Sequence, residues 1–140
     1  MTLPYESESE IEAIVKAFES CTTGKDEFNH REHLVVAAWY LHKSTPEDAF
    51  EKMRMGLLRF LDYHKVGRAK YNETLTMFWI KQVQNVLEQA EPQMSLPDLT
   101  NRVLGHLSNS RLALLYYSEE RLWSEEARSR WVEPDLGSFE

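Results

Sequence analysis

Between its glycines and prolines this chain repeats apolar residues every three to four positions, the spacing of one helix face, and no segment alternates them as a half-buried strand would. Only five Gly and five Pro are present, and they fall between the periodic segments, where they read as helix boundaries. That pattern confines the chain to an all-α fold. Its 140 residues fit one domain, 1–140, with irregular termini over about 1–7 and 133–140. No internal repeat and no linker divides it. With 42% hydrophobic residues, four Trp, six Tyr and six Phe, a packed core is expected rather than disorder.

The predicted architecture is a single-domain helical bundle of about four main helices, followed by shorter C-terminal ones. The first spans about 9–21, with Ser9 and Glu12 spaced as a capping box and Ile11, Ile14, Val15 and Phe18 on one face. Asn29 and Glu32 open the second, which runs to about 43. Leu34, Ala37 and Leu41 form one of its stripes while Val35, Val36, Trp39 and Tyr40 cover the rest, so it should be the central helix. Thr45, Pro46, Glu47 and Asp48 start the third, whose core stripe is Ala49, Met53, Leu57, Phe60 and His64. A turn over 66–70 leads to a fourth helix at about 72–90. Another runs from Ser95 to Gly105, and two short ones follow over 108–117 and 124–132, with Trp123 and Trp131 docking the tail.

Charge and cysteine content narrow the function classes. Sixteen basic against 23 acidic residues give a net charge of −7, which removes the basic surface that nucleic acid or anionic lipid would require. Neither nucleic acid nor a membrane is expected as a partner. Cys21, the only cysteine, has no intramolecular disulfide partner, and the amino terminus lacks the basic start and apolar run of a signal peptide, so the expected location is the cytoplasm.

Two polar clusters fall where the periodicity demands core: His30 and His33 in FNHREHL, and Glu73, Thr74 and Thr76 in YNETLTMFW. His30 shares the stripe of Leu34, Ala37 and Leu41, and His33 lies about 60° to one side at roughly 100° per residue. Glu73 shares a face with Met77, Ile80 and Leu87. Short turns make successive helices antiparallel, so the second and fourth helices begin at the same end, where the third finishes at His64. An up-down-up arrangement would converge His30, His33, His64 and Glu73 on one polar pocket. The positive ends of two helices favour neutral imidazole and ionised carboxylate there.

Three readings of that pocket are open. His30, His33 and Glu73 form a three-ligand set for a divalent metal ion, since two His three apart on a helix lie close enough to share one ion. Alternatively the same residues are catalytic, Glu73 acting as base and a neutral His as acid, with Tyr71, Thr74, Thr76 and His64 binding a small polar molecule. A buried His–Glu–Thr network could also satisfy itself and bind nothing. The competing functional class is a non-catalytic interaction or structural protein, a homodimer built on apolar helix two with Trp39 at its surface.

The segments FNHREHL, YNETLTMFW and YYSEERLWSEEARSRWVEPDL together resemble a family of small bacterial proteins. That family shows an aromatic-x-His-x-x-His-Leu segment, a Tyr-His-Glu-Thr-x-Thr segment and a tail near Glu-Pro-Asp-Leu, and the likeness spans 28–136. It implies shared roles for His30 and His33, for Tyr71, Glu73, Thr74 and Thr76, and for Glu133, Pro134, Asp135 and Leu136, and it carries no known reaction. One position departs: Asn72 stands where the family has His, and Asn lacks the titratable nitrogen of a ligand or base but suits an N-cap.

Overall fold

The computed structural model describes residues 5–137, and among these the chain is all-α, with seven helices and no strand. Of the irregular termini expected over 1–7 and 133–140, residues 1–4 and 138–140 lie outside the described part. The helices are α1 (Glu8–Glu19), α2 (His30–Lys43), α3 (Pro46–Tyr63), α4 (Glu73–Glu88), α5 (Leu96–His106), α6 (Glu119–Leu122) and α7 (Glu125–Ser129). Short 3-10 turns at Arg68–Lys70 and Leu112–Leu115 join α3 to α4 and α5 to α6.

Side-chain caps explain most of the starts. Thr45, Asn72, Ser95, Ser118 and Ser124 each accept a hydrogen bond from a backbone N–H inside the first turn, and Glu32 reaches back to the Asn29 amide at 3.0 Å. The capping box of α1 is formed by Ser7 and Glu10, two residues earlier than the Ser9 and Glu12 pair with the same spacing. Both pairs satisfy the local pattern, and the earlier one starts the helix. Gly105 does not end α5 but lies inside it, in open space. The helix expected over 108–117 is only the 3-10 turn, and the one expected over 124–132 stops at Ser129, where Arg130 turns extended.

Helix α2 is the axis of the bundle, packed by α1, α3, α4 and α5, and six consecutive or near-consecutive residues from Leu34 to Tyr40 are buried. Its all-round apolar surface is the direct cause. Helix α1 crosses α3 at Gly56, where an added Cβ would lie 2.5 Å from Cε2 of Phe18, so the missing side chain is what admits that ring.

The segment after α5 folds back as a strap across α4. Thr74 carries both ends of that contact: its hydroxyl donates to the Arg130 carbonyl at 2.8 Å and accepts from the Val132 amide at 3.2 Å. The Tyr117 hydroxyl donates to the Val132 carbonyl at 2.7 Å, and Asp135 holds the Ser118 amide and hydroxyl at 2.8 and 2.7 Å. Trp131 docks edge-on against Tyr117 as the sequence suggests, whereas Trp123 is half exposed and its neighbour Leu122 is the buried anchor.

Asn72 fastens the other end of the strap. Its Oδ1 caps α4 through the Leu75 amide at 2.9 Å, while its Nδ2 donates to the Leu122 carbonyl at 2.7 Å, and the side chain is buried. Losing the cap costs about 1 kcal/mol, and stranding a buried carbonyl adds at least as much. Asn72→Ala should therefore lower unfolding free energy by about 2–3 kcal/mol. Asn72→Asp should lose nearly as much despite keeping the cap, because it exchanges a donor for a second acceptor facing Leu122. Urea unfolding of both variants measures this, and an Asp variant as stable as wild type would show that the strap bond contributes nothing.

Candidate functional site

The first turns of α2 and α4 and the last turns of α3 meet at one end of the bundle, as the up-down-up reading requires, and enclose a pocket of about 290 Å³. Its walls are mostly apolar: Phe28, Leu57, Phe60, Leu61, Val66 and Leu75. Phe28 stacks on Phe18 at 4.4 Å between ring centroids and meets Phe60 at 5.5 Å, which fixes the aromatic side of the cavity. His33, Tyr71, Asn72 and Thr76 supply the polar lining, and the exposed Lys25 and Lys70 mark the rim.

His33 is the unusual member. Although one edge of the residue is partly accessible, its Nε2 is shut away from solvent and has no hydrogen-bond partner. Burial, reinforced by the positive charge that His30 can carry one turn away, pushes its pKa down to about 4. The ring is neutral at pH 7, with one nitrogen unsatisfied in a residue that lines the pocket. Buried polar atoms in folded proteins are nearly always paired, so an orphan of this kind calls for a physical cause.

The remaining residues expected at the site are engaged elsewhere. The His30 Nε2–H donates to the Leu107 carbonyl at 2.7 Å, closing the C-terminus of α5, and its ring sits edge-on to Trp79 at 4.6 Å. His64, the C-cap of α3, donates from Nε2 to the Thr23 carbonyl at 2.9 Å and packs against Phe60. Glu73 accepts the Tyr71 hydroxyl at 2.6 Å and faces Arg54, whose Nε lies 3.6 Å away. Thr74 is spent on the strap, and the Thr76 hydroxyl donates to the Asn72 carbonyl at 2.9 Å. Of the catalytic and ligand-binding residues expected from sequence, the pocket thus brings together His33, Tyr71 and Thr76, and leaves out His30, His64, Glu73 and Thr74.

Three consequences follow for chemistry. Among the described residues no three His, Cys, Asp or Glu side chains gather as metal ligands, so the set His30, His33 and Glu73 is not assembled: two of its members already hold protein partners. Burial and the bond to Glu73 raise the Tyr71 pKa, so the phenol stays protonated and is no base. A histidine titrating near 4 is likewise a weak base at neutral pH. What the arrangement offers is a hydrophobic cavity with an unused hydrogen-bonding nitrogen.

Lys25, Phe28, Leu57, Phe60, Leu61, Val66 and Leu75 also line the pocket and were not expected there from sequence, where Leu57 and Phe60 read as core. Phe28 had a signal, since it precedes the Asn29 cap in the same motif as His33, but an apolar residue at that position ordinarily staples its own helix. Trp39, on which the homodimer expectation rested, is half-buried, and the Lys43 ammonium covers its ring at 4.8 Å from the centroid. No helix among the described residues is long and apolar enough to cross a membrane. No family model matches the sequence, and neither any curated protein nor any solved structure shows significant similarity to it.

Proposed function

We propose that this protein binds a small, mainly apolar molecule in the pocket at the common end of α2, α3 and α4, and that His33 Nε2 makes the orienting hydrogen bond. The observation that carries the reading is the unpaired, buried Nε2 of His33, a residue that lines that cavity. A cavity near 300 Å³ is at the small end of natural ligand pockets, and few well-placed polar groups in an apolar lining is their usual character. The bound molecule would satisfy the nitrogen and remove its penalty. A binding role fits the lining better than proton transfer, because neither Tyr71 nor His33 is poised to move a proton at neutral pH.

Two matched probes test it. p-Cresol and toluene have similar shape, but only the phenol can give or accept a hydrogen bond at His33. Side-chain NMR of Phe28, Leu57 and Leu75 should report p-cresol binding in the millimolar range or tighter, about tenfold ahead of toluene, and His33→Phe should erase the preference. If neither probe shifts those resonances at its solubility limit, the pocket is not a binding site.

A further inference from the structure

We infer that the natural occupant is an anion: a small aromatic acid whose carboxylate sits at the Lys25–Lys70 rim and whose neutral polar group reaches His33. This rests on the binding role proposed above and names its ligand class. Acidic residues outnumber basic ones 23 to 16 over the chain, yet the pocket is lined by two lysines and no carboxylate. Neither lysine is in an ion pair among the described residues, so their charge is not spent within the protein.

Four acids adjacent in sequence to lining residues already hold protein groups, and Asp26, beside Lys25, is exposed. Glu27 accepts from the Gly24 amide at 2.9 Å, Glu32 from Asn29, and Glu73 from Tyr71, while Asp62 forms a two-pronged pair with Arg68. The first turns of α2 and α4 add positive helix ends on the same side of the bundle. A net-negative surface thus opens at this aperture with positive potential, which admits anions and repels cations.

Polarity along the cavity sets the orientation. A carboxylate driven in to His33 would meet a neutral imidazole and an apolar wall, and burying it there is costly. At the rim it keeps water and two ammonium groups. The inner end then takes a hydroxyl or comparable neutral group, and the Phe28–Phe60 wall favours an aromatic body between.

Binding of 4-hydroxyphenylacetate, its neutral isostere 4-hydroxyphenylacetamide and the cation tyramine to the full chain tests the charge. At low salt the acid should bind about three- to tenfold more tightly than the amide, and the amide more tightly than tyramine, as expected for two solvent-exposed charges. The acid's advantage should vanish at 0.5 M salt, chosen so that the Debye length falls below roughly 5 Å. It should also vanish in a Lys25→Gln, Lys70→Gln double variant, which alters exposed residues only and should fold normally. An amide that binds as well as the acid at low salt, or a double variant that keeps the preference, would overturn the anionic class while leaving the pocket itself in place. If none of the three compounds nor p-cresol perturbs Phe28, Leu57 or Leu75, the binding role fails first and this inference with it.

Discussion

Between pH 7 and pH 5 the protein should lose about 2 kcal/mol of stability, and about 3 kcal/mol by pH 4, through the single residue His33. The folded state holds this imidazole near 4, while an unfolded chain returns it to about 6.5. Between those values the unfolded state binds the extra proton, so stability rises with pH across that window and is lost as pH falls through it. Below about 4 both states are protonated and the loss stops growing. The cause is loss of hydration at His33, with His30 adding like charge, and no carboxylate lines the pocket to offset either effect. Asp62 and Asp135 have lowered carboxyl pKa values, so their contributions fade only at still lower pH. Urea unfolding of wild type and His33→Phe at pH 7, 6 and 5 separates the terms, since every other histidine is common to both. The difference between the two proteins should change by about 2 kcal/mol over that range, in favour of the variant at acid pH. Parallel profiles would mean that water reaches Nε2, and the orphaned nitrogen on which the site depends would not exist.

The sequence made the topology readable and misassigned several of the contacts. Periodicity and caps place α2, α3 and α4 nearly to the residue, because apolar stripes and N-caps are local signals that survive packing. The convergence of three helix ends followed from turn length alone. Which polar side chain faces the resulting cavity did not follow. His30 points inward as its helical position requires, but inward for that ring means the orphan carbonyl of Leu107, 77 residues away. Glu73 is likewise claimed by Tyr71 and Arg54, the latter from another helix. Asn72 illustrates the opposite case. Its identity as an N-cap is a local fact and was visible, whereas its second bond, to Leu122, depends on a strap whose path no periodicity describes. The strap differs from the two short helices expected over 108–117 and 124–132, because Tyr117 packs on Phe78 and Trp131 and bonds the Val132 carbonyl, and the Val132 amide bonds Thr74, contacts that no local periodicity encodes.

Phe18→Ala should be the most damaging single truncation near the site, costing about 3–5 kcal/mol, the range for removing a fully buried aromatic ring. The ring stacks on Phe28 at 4.4 Å, lies 6.2 Å from Phe60 and occupies the notch over Gly56, so both aromatic walls of the pocket lean on it. Deleting it leaves a void behind Phe28 that merges with the cavity, and aromatic binding should lose its preference for p-cresol over toluene, because a roomier apolar site no longer presses the phenol toward His33. Gly56 provides the internal control. In wild type, Gly56→Ala places a methyl 2.5 Å from Cε2 of Phe18, a contact that cannot persist, so the ring or the helix pair must shift at a cost of about 1–3 kcal/mol. In the Phe18→Ala background the same methyl enters empty space and brings about 1 kcal/mol of helix propensity with it. The double variant should therefore be more stable than Phe18→Ala alone, a reversal of sign with a coupling of about 2–4 kcal/mol. Additive losses would show that the Phe18 ring does not fill the Gly56 notch and that the aromatic wall of the pocket rests on some other support.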